Sequence, residues 1–409
     1  MDGDHALSIS DPALAFIGLA TFITTACGDD DAPVAAPGAS DGGASSSGAT
    51  TSSGGSSSGS SGKPVVEPTC TATAGEPSWG LVDTKLDWKT PDGGGPLDPR
   101  DNGAIGLAYG NGVFVLVAAT FNHDRIRWAT SPDGLAWTQH EQKTTESGAY
   151  TAGSEVHFNG KKFVFFGGHT NSGTFAYSSA DGAAWEAHKV DPGAVNVSAF
   201  ASNAEGFTVA AGANGSLRSS PDLVTWANHG EGVTSYLNVA FGNGRWIATS
   251  NGAGQIFGGT DGSQWSPLTI TPTPPGGYAN LVFGRGFWTL AGGGNYLLSA
   301  DGVSFAPAER TGDSQLGKTS LGQSRFAGNR LVLPSIDYFT GKATFAATTD
   351  GKQWDNFGSF ADTPKAQGPG LPTALVFGQC RYLTLVKTSP DGNLHSNFYL
   401  LGASSSPAP

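Results

Sequence analysis

The stretch SPDGLAW (131–137) recurs along the chain as SADGAAW (179–185), SPDLVTW (220–226), GTDGSQW (259–265), SADGVSF (299–305) and TTDGKQW (348–354). The Asp residues of successive copies are 39 to 49 positions apart, and an aromatic residue follows each Asp by four. A period of about 40 to 50 residues with turn signals is typical of propellers and repeat arrays. The Asp–aromatic pairs are Asp133 and Trp137, Asp181 and Trp185, Asp222 and Trp226, Asp261 and Trp265, Asp301 and Phe305, and Asp350 and Trp354.

The repeated segment has the chemistry of a tight hairpin turn. Asp and Ser side chains accept hydrogen bonds from backbone N–H groups of their own turn. The Gly that follows the Asp suits the left-handed conformation of such a turn, and Leu223 replaces it in the third copy. The aromatic residue then opens the outgoing strand and packs on the sheet. We therefore interpret the motif, here called the Asp turn, as a structural device that needs no ligand.

A second repeated element, which reads as two strands joined by a Gly-rich turn, precedes each Asp turn. Clear copies are LAYGNGVFVLVA (107–118), VHFNGKKFVFFGG (156–168), VAFGNGRWIATS (239–250), LVFGRGFWTLAGG (281–293) and LVFGQCRYLTLV (375–386), and looser copies are SAFASNAEGFTVAAG (198–212) and SRFAGNRLVLPS (324–335). A third strand leads into each Asp turn and a fourth leaves it. The pattern predicts an all-β fold, a seven-bladed β-propeller of four-stranded antiparallel blades.

The seventh unit is incomplete, because only SNFYLLG (396–402) follows SPDG (389–392). This SPDG comes too early to be an Asp turn, and we expect it to join the second and third strands. An N-terminal strand from LDWKT (86–90) or PSWGLV (77–82) should complete the blade, which would remove two exposed edges. In an oxidising compartment, Cys70 and Cys380 are expected to form a disulfide across this closure, and two free or separately placed thiols are the alternative.

The N-terminal region precedes the repeats and predicts export. Residues 12–26 are apolar over a length that suits a signal peptide and is short for a membrane span. Thr25-Ala26-Cys27 resembles the end of a bacterial lipobox, which predicts a signal peptide over 1–27 and a lipid on Cys27. Thr24 and an acidic start depart from that pattern, so ordinary secretion and a structural apolar segment stay as alternatives. The further divisions are a disordered Gly/Ser-rich linker (28–67), the propeller (68–403) and a tail (404–409).

The repeated hairpin resembles the Asp box of sialidase-type (BNR-repeat) propellers, over residues 104 to about 402. Here the Gly follows the Asp directly, whereas the usual box has one residue between them. Sialidases use three Arg on the substrate carboxylate, a Tyr–Glu pair and an Asp acid, and an Arg-Ile-Pro motif carries the first Arg. The nearest segment here, Arg125-Ile126-Arg127, lacks the Pro and lies in a predicted third strand. We therefore expect a non-catalytic variant. The alternatives are a sialidase-like glycoside hydrolase and an assembly factor for another envelope protein.

Charge and histidine spacing argue against several other classes of function. The net charge is −12 and no Lys/Arg block occurs, so we expect no nucleic-acid partner and no membrane contact beyond the lipid anchor. His140, His188 and His229 each follow an Asp-turn Trp by three positions. Equivalent positions on adjacent blades are too far apart to share one ion at the roughly 2 Å distances that zinc requires. We therefore expect no metal and no cofactor.

Polar and aromatic residues occupy related positions on the predicted innermost strands. These strands line the central channel, where propellers commonly bind ligands, and aromatic and amide side chains suit sugars or peptides. We therefore predict a monomeric, lipid-anchored or secreted module of the cell envelope that binds or scaffolds an unidentified glycan or protein. A channel lined by solvated polar groups is the alternative. The candidate ligand-binding residues are Glu155, His157, Tyr236, Asn238, Tyr278, Asn280 and Gln323.

Overall fold

The computed structural model describes the greater part of the chain between residues 77 and 404. In this part every regular element is a β-strand and no helix occurs. The predicted signal peptide, the linker, Cys27 and Cys70 lie outside the described residues. The described ranges are 77–86, 106–118, 125–143, 150–152, 155–169, 173–191, 197–212, 215–229, 235–250, 255–271, 280–292, 295–312, 324–336, 342–360, 371–388 and 397–404.

The strands are short and closely spaced, as the Gly-rich turns between them require. They are β1 (Trp79–Leu81), β2 (Gly106–Gly110), β3 (Val113–Ala118), β4 (Arg125–Ser131), β5 (Thr138–Lys143), β6 (Tyr150–Ala152), β7 (His157–Phe158), β8 (Phe163–His169), β9 (Gly173–Ser179), β10 (Glu186–Asp191), β11 (Val197–Ser202), β12 (Thr208–Gly212), β13 (Leu217–Ser220), β14 (Ala227–Asn228), β15 (Tyr236–Gly242), β16 (Arg245–Ser250), β17 (Ile256–Gly259), β18 (Ser266–Leu268), β19 (Asn280–Gly284), β20 (Phe287–Gly292), β21 (Asn295–Ser299), β22 (Ala306–Pro307), β23 (Thr311–Gly312), β24 (Arg325–Ala327), β25 (Arg330–Ile336), β26 (Ala343–Thr348), β27 (Gln353–Phe360), β28 (Leu371–Gly378), β29 (Arg381–Thr388) and β30 (Asn397–Ser404).

These strands form seven sheets, and each sheet is one blade of a propeller. From the centre outward, blades 1 to 7 are β2-β3-β4-β5, β6/β7-β8-β9-β10, β11-β12-β13-β14, β15-β16-β17-β18, β19-β20-β21-β22, β24-β25-β26-β27 and β28-β29-β30-β1. The innermost strands of successive blades touch, and the contact between β2 and β28 closes the ring. The prediction of a seven-bladed propeller with four-stranded antiparallel blades is confirmed.

Two blades depart from the regular pattern. In blade 2 the innermost strand is split into β6 and β7, which pair with different parts of β8. In blade 6 the short strand β23 is added outside β27 and runs parallel to it, with Thr311 opposite Gln353. The first departure shapes the channel, and the second extends the outer edge of one blade.

The N-terminal strand β1 completes blade 7. Trp79 pairs with Ala403 and Leu81 with Leu401, so the segment PSWGLV (77–82) supplies the strand. The rest of the other predicted candidate, residues 87–90, lies outside the described residues. Cys380, in the turn between β28 and β29, is disulfide-bonded. Both other cysteines lie outside the described residues, so the pairing of Cys380 with Cys70 stays a prediction.

The six Asp turns share two hydrogen bonds from backbone N–H groups to the Asp carboxylate. In blade 1, Asp133 Oδ1 accepts from the backbone N–H groups of Leu135 at 2.8 Å and Ala136 at 2.9 Å. Ser131 Oγ accepts from the N–H of Gly134 at 2.8 Å, and Gly134 has a φ of 75°. These bonds hold the pKa of Asp133 below its usual value, because they favour the carboxylate form. The same two N–H contacts to a carboxylate recur at Asp181, Asp222, Asp261, Asp301 and Asp350.

The aromatic residues of the Asp turns pack in two ways. Trp137, Trp226 and Trp265 donate through Nε1 to a carbonyl of their own turn, at 3.3, 3.0 and 3.2 Å. Trp185 and Trp354 are instead buried between blades, at 5% and 1% exposure. Trp185 packs edge-on against Phe165 with centroids 4.8 Å apart. The motif therefore contributes to its own turn or to the core, depending on the blade.

Candidate functional site

The innermost strands are irregular at one common level of the channel. In blades 3, 4 and 7, one residue has no opposite partner on the second strand: Ser198, Leu237 and Thr373 respectively. In blade 2 the irregularity is larger, since Ala152 pairs with Gly167 and His157 with Val164, which is a register shift of two residues. Bulges of this kind turn the next side chain in a new direction, and they are common beside binding sites.

The residues that follow these bulges, together with their equivalents in other blades, form what we call the channel ring. Each lies four positions before the turn that joins the first two strands of its blade, and each is buried. Blades 2, 4 and 5 contribute polar side chains, whereas blades 1, 3 and 7 contribute small residues. Gln323 holds the equivalent position in blade 6 and lies outside the described residues. The channel ring consists of Gly106, Glu155, Ala199, Asn238, Asn280 and Ala374.

Gly106 is required where it stands because the backbone of blade 2 approaches it closely. A Cβ atom at this position would lie 2.3 Å from the backbone nitrogen of Val156 and 2.9 Å from the Cα atom of Glu155. Backbone atoms cannot turn away as a flexible side chain can. Gly106 therefore allows the backbone of Glu155 and Val156 to approach blade 1 closely.

Glu155 and Arg325 influence each other electrostatically. They belong to blades 2 and 6, which lie on opposite sides of a seven-membered ring, and they are 5% and 2% exposed. Burial raises the pKa of Glu155 well above its usual value, and the charge of Arg325 partly opposes this rise. Burial likewise lowers the pKa of Arg325 against the opposing effect of Glu155. Along the described innermost strands, Arg325 is the only cationic side chain and Glu155, just before β7, is the adjoining carboxylate.

The guanidinium of Arg325 is only partly hydrogen-bonded. Its Nη1 donates to the carbonyl oxygen of Ser324 at 2.9 Å. Ser324 Oγ in turn donates to Asn280 Oδ1 at 2.8 Å, which ties blade 6 to blade 5. Among the described residues, Nε and Nη2 of Arg325 have no hydrogen-bond partner. One edge of a buried, charged group thus lacks acceptors.

His157 lies beside this pair and is neutral at physiological pH. Burial, with a smaller effect from Arg325, lowers the pKa of His157 to about 3. Its ring stacks on Phe200 of blade 3 with centroids 4.3 Å apart. Within the described part of the chain, its covered Nε2 atom has no hydrogen-bond partner. His157 therefore adds a neutral polar atom, and no charge, to this level of the channel.

Four of the seven residues predicted to bind ligand are described and lie at the innermost strands, and their role in binding stays a prediction. Glu155, His157, Asn238 and Asn280 all lie on or beside the innermost strands near the channel ring. Tyr236 does not join them, because its ring packs in the hydrophobic core between blades 3 and 4, edge-on to Phe257. Tyr278 and Gln323 lie outside the described residues. Arg325 was missed, since a single Arg in the loosest copy of the inner hairpin carries no repeat signal.

The three histidines that follow Asp-turn tryptophans lie on the outer strands and contact side chains of their own blades. His140 Nε2 is 2.9 Å from Thr130 Oγ1, and His229 Nε2 is 2.7 Å from Ser219 Oγ. His188 Nε2 is 3.6 Å from a carboxylate oxygen of Glu186. Across the described ranges, no three His, Cys, Asp or Glu side chains cluster in a way that could hold a metal ion. Those ranges also contain no helix with the length and apolarity needed to cross a membrane.

Sequence comparison agrees with this architecture over part of the chain. Residues 131–257 match the family model described as the DUF6242 beta propeller domain. The matched region runs from the last residue of β4, in blade 1, to β17, the third strand of blade 4. No curated protein matches the chain significantly.

Similar solved structures are propellers with low sequence identity. YCF48, described as bound to a D1 peptide, has a TM-score of 0.51 and 14% identity, with coverage of 81% of this chain and 99% of that one. A streptogramin B lyase has a TM-score of 0.54 and 9% identity, covering 80% and 98% of the two chains. The Pan2 WD40 domain of Neurospora crassa has a TM-score of 0.53 and 10% identity, covering 81% and 99%. At such identities the likeness concerns the fold alone.

Proposed function

We propose that this chain is a non-catalytic binding module of the cell envelope that takes a segment of a protein ligand into its central channel. The observation that carries the proposal is the channel ring, where three blades place Glu155, Asn238 and Asn280 at one buried level. A primary amide both donates and accepts hydrogen bonds, so it matches the N–H and C=O groups of a peptide. The small residues of blades 1, 3 and 7 leave the remaining side of the ring without bulky side chains.

The choice of a peptide over a glycan follows from the aromatic residues. Sugar sites commonly offer an exposed aromatic face, and Tyr236, the described candidate for that role, is enclosed in the core. The likeness to YCF48, whose structure contains a D1 peptide, is consistent with a peptide ligand. A glycan ligand and a role in the assembly of another envelope protein remain the alternatives to test.

The proposal of a non-catalytic role rests on the scarcity of reactive groups at the channel. A sialidase-like site would need three arginines, whereas the described innermost strands carry Arg325 alone. Glu155 is 5% exposed, so its carboxyl group has little contact with the water that a hydrolytic reaction needs. The alternative of a glycoside hydrolase is tested directly by assay.

The binding experiment uses the full chain and three kinds of probe. Random linear peptides displayed on phage, a glycan array and a fluorogenic sialoside are offered in parallel. We expect enrichment of peptides, and we expect Asn280→Leu to weaken binding of the enriched peptides at least tenfold. Asn228→Leu, on the exposed outer strand of blade 3, is the matched control and should bind as the unmodified chain does. Glycan binding without peptide enrichment, or sialoside hydrolysis that Glu155→Gln abolishes, would overturn the proposal.

The proposed location in the cell envelope rests on the predicted lipidation of Cys27. In a bacterial host, a fatty acid that carries an alkyne should label the full chain. Cys27→Ala should abolish the label and release the protein from the membrane fraction. Labelling that survives this substitution would show that the anchor is elsewhere.

A further inference from the structure

The Nε and Nη2 donors of Arg325, which lack acceptors, indicate a specific chemical group in the ligand. Nη1 is satisfied by the Ser324 carbonyl, whereas Nε and Nη2 have no acceptor in the described part of the protein. Leaving a buried donor without an acceptor costs about 1–3 kcal/mol, and more when the group is charged. The Arg325 guanidinium is 2% exposed and two of its donors lack acceptors, so we expect a ligand to supply the acceptor.

The two unfilled donors have the geometry that a carboxylate fits. Nε–H and the neighbouring Nη2–H of a guanidinium point the same way, and two carboxylate oxygens accept them side by side. Glu155 is near enough to interact electrostatically with Arg325 but does not occupy this edge. His157 is uncharged, so it does not neutralise the cation.

We propose that the channel recognises a carboxylate group of its peptide ligand by a two-point hydrogen bond to Nε and Nη2 of Arg325. This inference rests on the proposed function and names the group that the same site recognises. Because Arg325 is 2% exposed, its side chain must turn toward the channel as the carboxylate enters. Ser324 and Asn280, which bond to each other beside Arg325, then lie within the same site and orient the adjoining peptide groups.

Binding of the carboxylate brings a second negative charge close to Glu155. Buried like charges disfavour each other, and Glu155 already takes up a proton more readily than an ordinary carboxyl group. We expect the ligand carboxylate to become the counter-ion of Arg325 and to raise the pKa of Glu155 further.

The test compares three immobilised libraries of random octapeptides, each incubated with the full chain. The first library has a free carboxyl terminus and no Asp or Glu. The second is amidated at its C-terminus and contains Asp and Glu. The third is amidated and contains no acidic residue. We expect retention of the protein by the first or the second library, and the arm that retains it tells a terminal carboxylate from a side-chain one.

Variants at two arginines make the assignment specific. Arg325→Gln removes both the charge and the paired Nε–H and Nη2–H donors. Arg325→Lys keeps the charge but removes the paired donors. Each variant should weaken retention at least tenfold. Arg285→Gln, in an exposed turn of blade 5, changes the net charge equally and should leave retention unchanged. The Lys variant keeps the test valid if the Gln variant does not fold.

Each outcome bears on one proposal or both. Equal retention by the third library would overturn carboxylate recognition and leave peptide binding intact. Full retention of the Arg325→Lys variant would also overturn it. If no library retained the protein, the peptide-binding function itself would fall, and the inference with it.

Discussion

Trp79 Nε1 donates a hydrogen bond at 2.9 Å to the carbonyl oxygen of Phe357, a residue 278 positions further along the chain. The indole ring also stacks on Phe345, with centroids 3.9 Å apart and an angle of 14° between the planes. Trp79 belongs to the outer strand of blade 7, whereas both partners belong to blade 6. One residue of the N-terminal strand thus joins two blades at the place where the ring closes.

The first prediction concerns this closing residue. Trp79→Ala removes a ring that is 5% exposed and should lower the free energy of unfolding by about 3–5 kcal/mol. Trp79→Phe keeps an aromatic ring for the stack and loses the N–H donor, so it should cost only about 1 kcal/mol. Denaturant unfolding followed by fluorescence measures both. Equal losses for the two variants would contradict the importance of the stack.

The second prediction concerns the close approach of blades 1 and 2. Gly106→Ala places a methyl group against the Val156 nitrogen, so blade 2 must shift, at a cost of about 1–3 kcal/mol. The shift also moves Glu155, and peptide binding should weaken with it. Gly80→Ala is the control, since a Cβ there meets no atom within 4 Å and should leave stability nearly unchanged. Calorimetric unfolding compares the pair, and a neutral Gly106→Ala would show that the blades can separate freely.

The third prediction concerns Leu223, which takes the left-handed conformation that Gly takes in the other Asp turns. Its φ is 66°, and its side chain is 4% exposed in the core between blades 2 and 3. Leu223→Gly relieves about 1–2 kcal/mol of backbone strain but removes a buried side chain whose burial contributes about 1.5–3 kcal/mol. The loss of a large side chain also leaves a cavity, which tips the balance toward destabilisation. An increase in thermal stability would show that backbone strain outweighs packing here.

The fourth prediction concerns the electrostatic interaction of Glu155 and Arg325. Arg325→Met leaves Glu155 buried without its cation, which should cost about 3–5 kcal/mol where Glu155 is ionised. The pKa of Glu155 is raised in the folded protein, so its ionised form opposes folding, and the penalty should grow as pH rises through that pKa. Arg325 and the neutral His157 are the other titratable groups that face it.

Denaturant unfolding at pH 5 and pH 8 should therefore show a larger loss for Arg325→Met at pH 8. Combining Arg325→Met with Glu155→Gln should recover part of the loss, since no buried charge is then left unpaired. A double variant less stable than Arg325→Met alone would contradict the coupling between the two residues.

The fifth prediction concerns pH and the Asp turns. Backbone hydrogen bonds from Ser304 and Val303 hold the pKa of Asp301 far below its usual value. A depressed folded pKa means that this contribution to stability is present above the unfolded value of 3.8 and is lost as pH falls through the folded pKa. Asp301→Asn should therefore reduce the dependence of thermal stability on pH in acid and lower stability at neutral pH. Thermal unfolding across the acid range, in which the variant and the parent showed the same slope, would contradict this.

The sequence predicted the architecture because turns repeat and turns have local chemistry. An Asp that binds its own backbone and a Gly with positive φ act within a few residues, so six Asp turns together with seven inner hairpins predicted seven blades. The closing strand was narrowed to two segments, and the structure selects PSWGLV (77–82). Neither segment carries a turn motif, so only pairing with β30 could decide between them.

The site was harder to predict because bulges reverse the alternation of side chains. Tyr236 and Asn238 are two positions apart and would share a face in a regular strand. The extra residue Leu237 between them puts Tyr236 in the core and Asn238 in the channel ring. Arg325 and Glu155 meet only because the ring places blades 2 and 6 opposite each other, which no local pattern reports.

The closing strand β1 has a mechanical consequence. A pull transmitted through the N-terminal segment loads β1 first, and three pairs from Trp79–Ala403 to Leu81–Leu401 and the hydrogen bond from Val82 N–H to the Leu400 carbonyl oxygen at 2.8 Å hold this segment against β30. The buried indole of Trp79, which contacts blade 6, therefore resists separation of β1 from the sheet. A protein held by its N-terminal end would keep blades 6 and 7 together under tension for as long as the Trp79 indole stayed packed on Phe345.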